Sequence, residues 1–164
     1  IIKTIVFFFF FFFFYEEGNV MIKIICVGKL KEDYLKSGVS DYVRRISKYH
    51  KINVIEVSDS DIDNEEKEII KYIDSKDYVI SLCVEGEMLS SLELSRKIDN
   101  IFIGYSTITF VIGGSYGISS RIKERSNMRL SFSKMTFPHG LFRIMLLEQI
   151  YRSFKINNNE SYHK

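Results

Sequence analysis

Strand-like and helix-like apolar patterns alternate along the chain, and this alternation constrains the fold more than any other feature. Strand-like runs occupy residues 21–28, 52–57, 77–84, 107–112 and 129–133. Segments with helical apolar spacing or helix-start signals occupy residues 33–50, 59–68, 90–102, 119–126 and 141–154. Parallel strands need long crossover connections, which helices supply. The sequence therefore predicts an α/β fold with a mainly parallel sheet and helices on both faces.

A run of eight phenylalanines at residues 7–14 precedes the first predicted strand. The uninterrupted apolar stretch of residues 5–15 is shorter than the roughly 20 residues that a membrane-spanning helix needs. Lys3 precedes it as in a secretory signal, but no small-x-small cleavage site follows. We interpret residues 1–20 as a leader or non-native extension outside the fold and residues 21–164 as one domain. A secretory signal or surface anchor is the alternative.

The C-terminal third of the chain is basic. Residues 113–164 hold nine Lys and Arg, three Glu, no Asp and two of the three histidines. Residues 21–112 hold 13 Lys and Arg against 16 Asp and Glu. A basic segment with aromatic residues suits a polyanion such as RNA, although a solvated basic face would have the same composition.

The cysteines and histidines argue against a disulfide or a metal site. Cys26 and Cys83 both lie inside apolar strand-like runs, which is typical of buried, reduced thiols. The three histidines, His50, His139 and His163, form no Cys/His cluster of the kind that binds structural zinc. We therefore expect no bound metal.

Two distinctive segments follow predicted strands, at the edge of a parallel sheet where ligands bind. The fourth strand leads into GGSYG, residues 113–117, whose paired glycines allow positive φ and a close approach of ligand to backbone. This segment matches neither a Rossmann fingerprint nor a P-loop. The fifth strand leads into FSKMTFPHGLFR, in which Pro138 can start the last helix in its first turn. His139 and Arg143 are then four residues apart on one helix face.

Three motifs make the sequence resemble a known family: FVIGGSYG, LSFSKMTFPHGLFRIMLLEQIYRSFKI and the terminal SYHK. In this order and spacing they resemble the RlmH family, bacterial large-subunit ribosomal RNA methyltransferases of the SPOUT class, over residues 21–164. The resemblance implies a C-terminal trefoil knot that holds S-adenosylmethionine, a homodimer and a cytoplasmic location without a membrane anchor. It also implies methylation of ring nitrogen 3 of a pseudouridine in 23S rRNA of the assembled 70S ribosome.

The resemblance assigns cofactor binding to residues at three strand ends: Leu82, Gly113, Phe132, Ser133, Lys134, Met135, Thr136 and Phe137. His163 and Tyr162 are the candidates for removing the proton from the acceptor nitrogen, because a neutral imidazole accepts a proton near neutral pH. His139, Arg143 and Lys164 are the candidates for contacts with RNA phosphates or bases. Ser115 and Tyr116 stand where some relatives carry an acidic residue, which weakens any proposal of a carboxylate base there.

Three alternatives stay open from the sequence. The chain could be a non-catalytic RNA- or ribosome-binding module of the same fold, which would have no affinity for S-adenosylmethionine. It could be a knotted ribose 2′-O-methyltransferase, which would modify a different atom. It could also be a membrane-tethered protein that uses the phenylalanine run.

Overall fold

The computed structural model describes residues 20–162, which form alternating strands and helices. In chain order they are β1 (Met21–Val27), α1 (Asp33–Ile46), β2 (Lys51–Val57), α2 (Ile62–Ile70), β3 (Tyr78–Met88), α3 (Ser91–Gly104), β4 (Thr107–Ile112), α4 (Ser120–Arg125), β5 (Met128–Ser131) and α5 (His139–Asn157). The predicted extension over residues 1–20 lies outside the described residues, apart from Val20. The first strand begins at Met21, one residue after the described part starts.

The five strands form one sheet in the order β2-β1-β4-β3-β5, and every pairing is parallel. The predicted α/β fold with a parallel sheet is thus confirmed. Strand β1 lies between β2 and β4, and its first residue, Met21, pairs with Lys51 on one side and Thr107 on the other. Because all strands run the same way, the segments that follow them meet at one carboxyl edge.

Helices cover both faces of this sheet. On one face, α1, α3 and α5 pack on a core that includes Ile24, Phe110 and Leu146. On the other face, α2 and α4 cover a smaller core that includes Ile25 and Val111. Successive residues of β1 and of β4 enter opposite cores, as the two-residue period of a strand requires. Both faces of the sheet are therefore buried, which explains the near-continuous apolar runs in the strand sequences.

The helix ends agree only in part with the sequence signals. Ser90 accepts a hydrogen bond from the Glu93 amide, and the Glu93 carboxylate accepts one from the Ser90 amide at 2.7 Å, which forms a capping box at the start of α3. Helix α1 ends at Ile46 rather than at residue 50, because a turn over residues 47–49 leads directly into β2. Pro138 caps α5 instead of occupying its first turn, and its carbonyl accepts from the Phe142 amide at 2.9 Å.

A buried charged network lies near the amino edge of the sheet. The Lys23 ammonium donates to the Asp77 carboxylate at 3.0 Å, to Asp74 at 3.2 Å and to the Tyr72 carbonyl at 2.7 Å. Thr109 donates to the same Asp77 oxygen at 2.7 Å. Lys23 and Asp77 are 6% and 3% exposed, so each buried charge has its partner. This network ties β1, β3 and β4 together at the edge opposite the predicted site.

The described cysteines are both free thiols, as predicted. Cys26 lies in the core of β1, and burial raises the pKa of its thiol to about 12. Cys83 is half-buried on β3, and burial also raises the pKa of its thiol.

Candidate active site

A cavity of about 450 Å³ opens at the carboxyl edge of the sheet. Three segments form most of its walls: the last part of β3 from Leu82, the glycine turn that follows β4, and residues 130–142 at the end of β5 and the start of α5. Lys123 of α4 adds to the lining. The volume lies within the range of small-molecule sites in proteins. The position agrees with the rule that ligands bind beyond the carboxyl ends of parallel strands.

The structure brings most of the predicted cofactor residues together around this cavity. Seven of the eight predicted cofactor residues line it: Leu82, Gly113, Phe132, Ser133, Met135, Thr136 and Phe137. Lys134 is exposed and does not line the cavity. Three segments that are far apart in the sequence therefore meet at one site.

The glycine turn is built by close packing of its own backbone. A Cβ on Gly113 would lie 2.3 Å from the Gly117 carbonyl oxygen, so only glycine fits there. Positive φ occurs at Gly117 (φ +78°) rather than at Gly113 or Gly114. The paired glycines allow positive φ, but neither adopts it. Gly113 is required for contact between protein backbones, because the turn folds back on itself through a Gly114–Gly117 bridge.

A second wall comes from an irregular part of β3 that the sequence did not reveal. The ladder between β3 and β5 is interrupted between Leu82 and Glu87, and the intervening residues Cys83, Val84 and Glu85 line the cavity. A Cβ on Gly86 would lie 2.6 Å from the backbone of Leu130, so this glycine lets the two strands come together. Such interruptions are common next to functional sites because they redirect side chains. No local pattern predicts this wall, because Gly86 lies two residues beyond the strand-like run of residues 77–84.

The segment after β5 is held by its own serine hydroxyls. Ser131 donates from Oγ to the Ser133 carbonyl at 3.0 Å, and the Met135 amide donates to Ser133 Oγ at 3.0 Å. These bonds replace the ladder bonds that are lost where β5 ends. They fix the main chain along one wall of the cavity and leave Met135 72% exposed.

Aromatic rings pack against the segment after β5. Phe142 of α5 contacts Phe132 edge to face at a centroid distance of 5.1 Å and stacks on Phe137 at 5.9 Å. The rings join both ends of the loop to the first turns of α5. The apolar residues of this motif therefore serve both the core and the cavity wall.

His139 and Arg143, expected on one helix face, lie in different environments. His139 is exposed and lines the cavity. Arg143 is 2% exposed and donates to the Glu56 carboxylate at 2.6 Å and to the Val27 and Gly28 carbonyls. Its described partners are thus groups of the same chain, and its guanidinium is covered. The four-residue spacing predicts the shared helix face of the two side chains but not the burial of Arg143.

Tyr162 packs against helix α5 of its own chain. Its hydroxyl donates to the Glu148 carboxylate at 3.1 Å, and its ring meets Tyr151 edge to face at 5.0 Å. Burial, with contributions from Tyr42 and Glu148, raises the pKa of Tyr162 to about 12. The group is therefore a neutral phenol at physiological pH, able to donate a proton rather than accept one. His163 and Lys164 lie outside the described residues.

Neither a metal site nor a membrane span is found in the described part of the chain. Within residues 20–162, no three His, Cys, Asp or Glu side chains are grouped closely enough to hold a metal ion. No helix in the same range combines the length and the hydropathy needed to cross a bilayer.

Comparison with solved structures supports the fold. A probable methylase family protein from Haemophilus influenzae Rd KW20 matches with a TM-score of 0.53 at 14% identity, over 89% of this chain and 70% of its own. A tRNA (m1G37) methyltransferase from Aquifex aeolicus matches with a TM-score of 0.50 at 15% identity, over 82% of this chain and 70% of its own. At such low identities the likeness concerns the fold alone.

Comparison with protein sequences is more specific. A family model described as "Predicted SPOUT methyltransferase" matches residues 20–163. Proteins named ribosomal RNA large subunit methyltransferase H are similar to this chain over 87% of its length and 99% of theirs, at 49% identity in Clostridium botulinum strain Alaska E43 and 50% in Clostridium kluyveri. A Methanococcus vannielii protein with the same name, marked putative, is 49% identical. The predicted resemblance is confirmed, and the chain belongs to the SPOUT methyltransferase family, in its RlmH group.

Proposed function

We propose that this protein is a methyltransferase that transfers the methyl group of S-adenosylmethionine to ring nitrogen 3 of a pseudouridine in 23S rRNA of the assembled 70S ribosome. One observation carries the proposal: seven residues that the family resemblance assigns to the cofactor line a single cavity of about 450 Å³. The relatives of about 50% identity are named for large-subunit ribosomal RNA methylation, which supports the choice of substrate. A ribosomal substrate implies a cytoplasmic protein.

The cavity has the properties that an adenosine ligand needs. Its walls combine apolar side chains, such as Leu82 and Ile112, with main chain from the segment after β5. The apolar side chains can pack on a flat base, and backbone amides and carbonyls can bond its polar edge. The Gly113 turn contributes residues without side chains, Gly113, Gly114 and Gly117, to this end of the cavity. These features support S-adenosylmethionine as the ligand.

The remaining task of the protein is to position the acceptor base and take up its proton. When bound, S-adenosylmethionine supplies a methyl group already activated by its sulfonium, so alignment dominates the catalysis. We assign proton uptake to His163, because the Tyr162 phenol, with a pKa of about 12, is protonated at neutral pH. Tyr162 then acts as a hydrogen-bond donor or a stacking ring.

RNA contacts are assigned to His139 and Lys164. His139 is exposed at the cavity, where a phosphate or a base edge can reach it. The nine basic residues of the C-terminal third add a favourable field for RNA. Arg143 is buried against Glu56, so we assign it to holding the site in shape rather than to a phosphate.

We propose a homodimer that buries helix α5. Helix α5 carries apolar side chains around most of its circumference rather than on one face only, and α1 and α3 cover part of it. A second cavity, of about 520 Å³, remains beside it, lined partly by Tyr42, Leu94, Ile144 and Met145. A second copy of the chain would cover these apolar groups. Sedimentation equilibrium tests this part, and a monomer at micromolar concentration would contradict it.

We also propose the trefoil knot. Strand β5 lies at the edge of the sheet beyond β3, whereas Arg143 in the following helix reaches the end of β1. Residues 132–138 must therefore cross back past the carboxyl ends of β3 and β4. A return crossing of this kind is required for a knot, which is otherwise nearly absent from proteins.

The proposed activity is tested by methylating 70S ribosomes that lack the modification. Purified protein and S-adenosylmethionine are added, and the large-subunit RNA is digested and analysed by mass spectrometry. We expect one methyl group on the base of a pseudouridine, with weaker or no methylation of separate 50S subunits. Protein without cofactor is the control.

Other outcomes of this experiment favour the alternatives. A methyl group on a ribose 2′ oxygen would support the 2′-O-methyltransferase. Ribosome binding without any affinity for S-adenosylmethionine would support a non-catalytic module. Either result would overturn the proposal.

A further inference from the structure

An ion pair in the cavity wall has no role in the function proposed so far. Lys123 of α4 donates to the Glu85 carboxylate of the irregular part of β3 at 2.5 Å. Both residues line the cavity, and their side chains are 26% and 53% exposed. The pair is therefore accessible to a ligand and contributes little to stability.

The charges of this pair contrast with the rest of the cavity wall. Among the lining residues of the described chain, Glu85 and Lys123 are the only acidic residue and the only lysine or arginine. His139 is the remaining basic side chain. The hydrogen bond from Lys123 lowers the pKa of Glu85, so its carboxylate stays ionised at neutral pH. The cavity thus offers one fixed negative and one fixed positive charge side by side.

We propose that Glu85 and Lys123 bind the zwitterionic amino-acid end of S-adenosylmethionine, an inference that rests on the proposed function. The Lys123 ammonium donates hydrogen bonds to the α-carboxylate of the ligand, and the Glu85 carboxylate accepts hydrogen bonds from the α-ammonium of the ligand. A zwitterion that enters an apolar cavity loses water and needs opposite charges to replace it. The adenosine part has no such need, because apolar and backbone groups suffice for it.

The protein ion pair need not break when the ligand binds. An ammonium has three donors and a carboxylate about four acceptor positions, so each group can hold the other and the ligand together. Four alternating charges then form one compact network. Charge-assisted bonds of this type are about twice as strong as neutral ones.

The test compares two ligands that differ in the amino-acid end. S-adenosylhomocysteine carries it, whereas 5′-methylthioadenosine has only a methyl group in its place. Binding of both is measured by calorimetry for wild type, Lys123→Met and Glu85→Gln. We expect each substitution to lower the affinity for S-adenosylhomocysteine about tenfold or more, because a charge-assisted bond is lost. Binding of 5′-methylthioadenosine should change less than about twofold, because it makes no charged contact.

Two further variants serve as controls. Arg121 lies on the same helix α4 and pairs with Glu66 outside the cavity, so Arg121→Gln removes a comparable ion pair and should leave both affinities unchanged. Lys123→Arg keeps the positive charge and should retain most of the affinity for S-adenosylhomocysteine. Thermal melting checks that every variant is folded.

The outcomes separate this inference from the proposed function. If wild type binds neither ligand, the cofactor assignment itself is wrong. Suppose that wild type binds both ligands, and that the variants either keep wild-type affinities or lose affinity for both ligands equally. Glu85 and Lys123 then do not recognise the amino-acid end, and the inference is overturned.

Discussion

Arg143 joins the second turn of α5 to Glu56 of β2 by a 2.6 Å hydrogen bond, and it also caps the end of β1 through the Val27 and Gly28 carbonyls. Gly28, the residue after β1, has φ +83°, a left-handed backbone conformation that favours glycine. A buried carbonyl without a donor is costly, and the guanidinium supplies donors for both. Arg143 thus anchors the start of α5, and with it the His139 side of the cavity, to the centre of the sheet.

We predict that Arg143→Met lowers the free energy of unfolding by about 2–4 kcal/mol, because it removes the donor to a buried and a half-buried carbonyl and the charged partner of Glu56. Urea unfolding at fixed protein concentration measures this loss. Arg44→Met, at a side chain that is 75% exposed, is the matched control and should cost less than about 0.5 kcal/mol. Equal costs at the two positions would contradict the anchoring role.

The difference between His139 and Arg143 illustrates what the sequence can predict. Their spacing fixes their relation within the helix, because helix geometry is local. Whether the face is covered depends on Glu56, which lies 87 residues away from Arg143 in the chain. The strands and helices were predictable for the same reason, since their apolar periods are local. The irregular β3 wall arises from the contact of Gly86 with β5, which no local pattern contains.

The glycine turn gives a second prediction. Gly113→Ala would place a Cβ 2.3 Å from the Gly117 carbonyl oxygen and 2.5 Å from its carbon, both backbone atoms that cannot rotate away. We expect a loss of about 1–3 kcal/mol in stability, together with weaker binding of S-adenosylhomocysteine. Chemical unfolding and calorimetry measure the two effects.

Gly104→Ala provides the control for this turn. No atom lies within 4 Å of a Cβ at Gly104, which ends helix α3. Alanine is the better helix former, so stability should stay the same or rise by up to about 1 kcal/mol. If Gly113→Ala is tolerated as well as Gly104→Ala, the turn does not have the close packing described.

Tyr162 gives a pH-dependent prediction. Burial and its neighbours Tyr42 and Glu148 raise its pKa from 10.0 to about 12, so the folded state favours the neutral phenol. Its contribution to stability is complete below pH 10 and is lost as the pH rises toward 12. We expect wild type to lose more stability than Tyr162→Phe over this interval, measured by urea unfolding at each pH. Tyr34→Phe, at an exposed ring, should behave as wild type, and equal curves for all three proteins would refute the shift.

The assignment of residues 1–20 as lying outside the fold predicts that a chain beginning at Met21 keeps its stability and cofactor affinity. The first strand begins at Met21, whose amide donates to the Ser106 carbonyl at 2.8 Å. Thermal melting and calorimetry on the full and shortened chains provide the comparison. A shortened chain that aggregates or binds the cofactor more weakly would show that the first 20 residues belong to the functional protein.

The buried network around Asp77 gives the last prediction, because it separates folding from function. Asp77 accepts from Lys23, Thr109 and the Asp74 amide through one carboxylate oxygen. Asp77→Ala therefore leaves the Lys23 ammonium, whose side chain is 8% exposed, with only the exposed Asp74 and a carbonyl as partners. We expect Asp77→Ala to lower the free energy of unfolding by about 3–5 kcal/mol, measured by urea unfolding. Asp33→Ala, at a carboxylate that is 97% exposed, should cost less than about 1 kcal/mol.

A double variant tests whether the cost comes from the unpaired charge. Lys23→Met combined with Asp77→Ala removes both charges, so it should be more stable than Asp77→Ala alone. The network lies at the amino edge of the sheet and the cavity at the carboxyl edge, so the folded fraction of each variant should bind S-adenosylhomocysteine with wild-type affinity. A double variant less stable than Asp77→Ala would show that Lys23 stabilises the fold by other contacts. A changed affinity would show that the two edges are coupled through β1, β3 and β4.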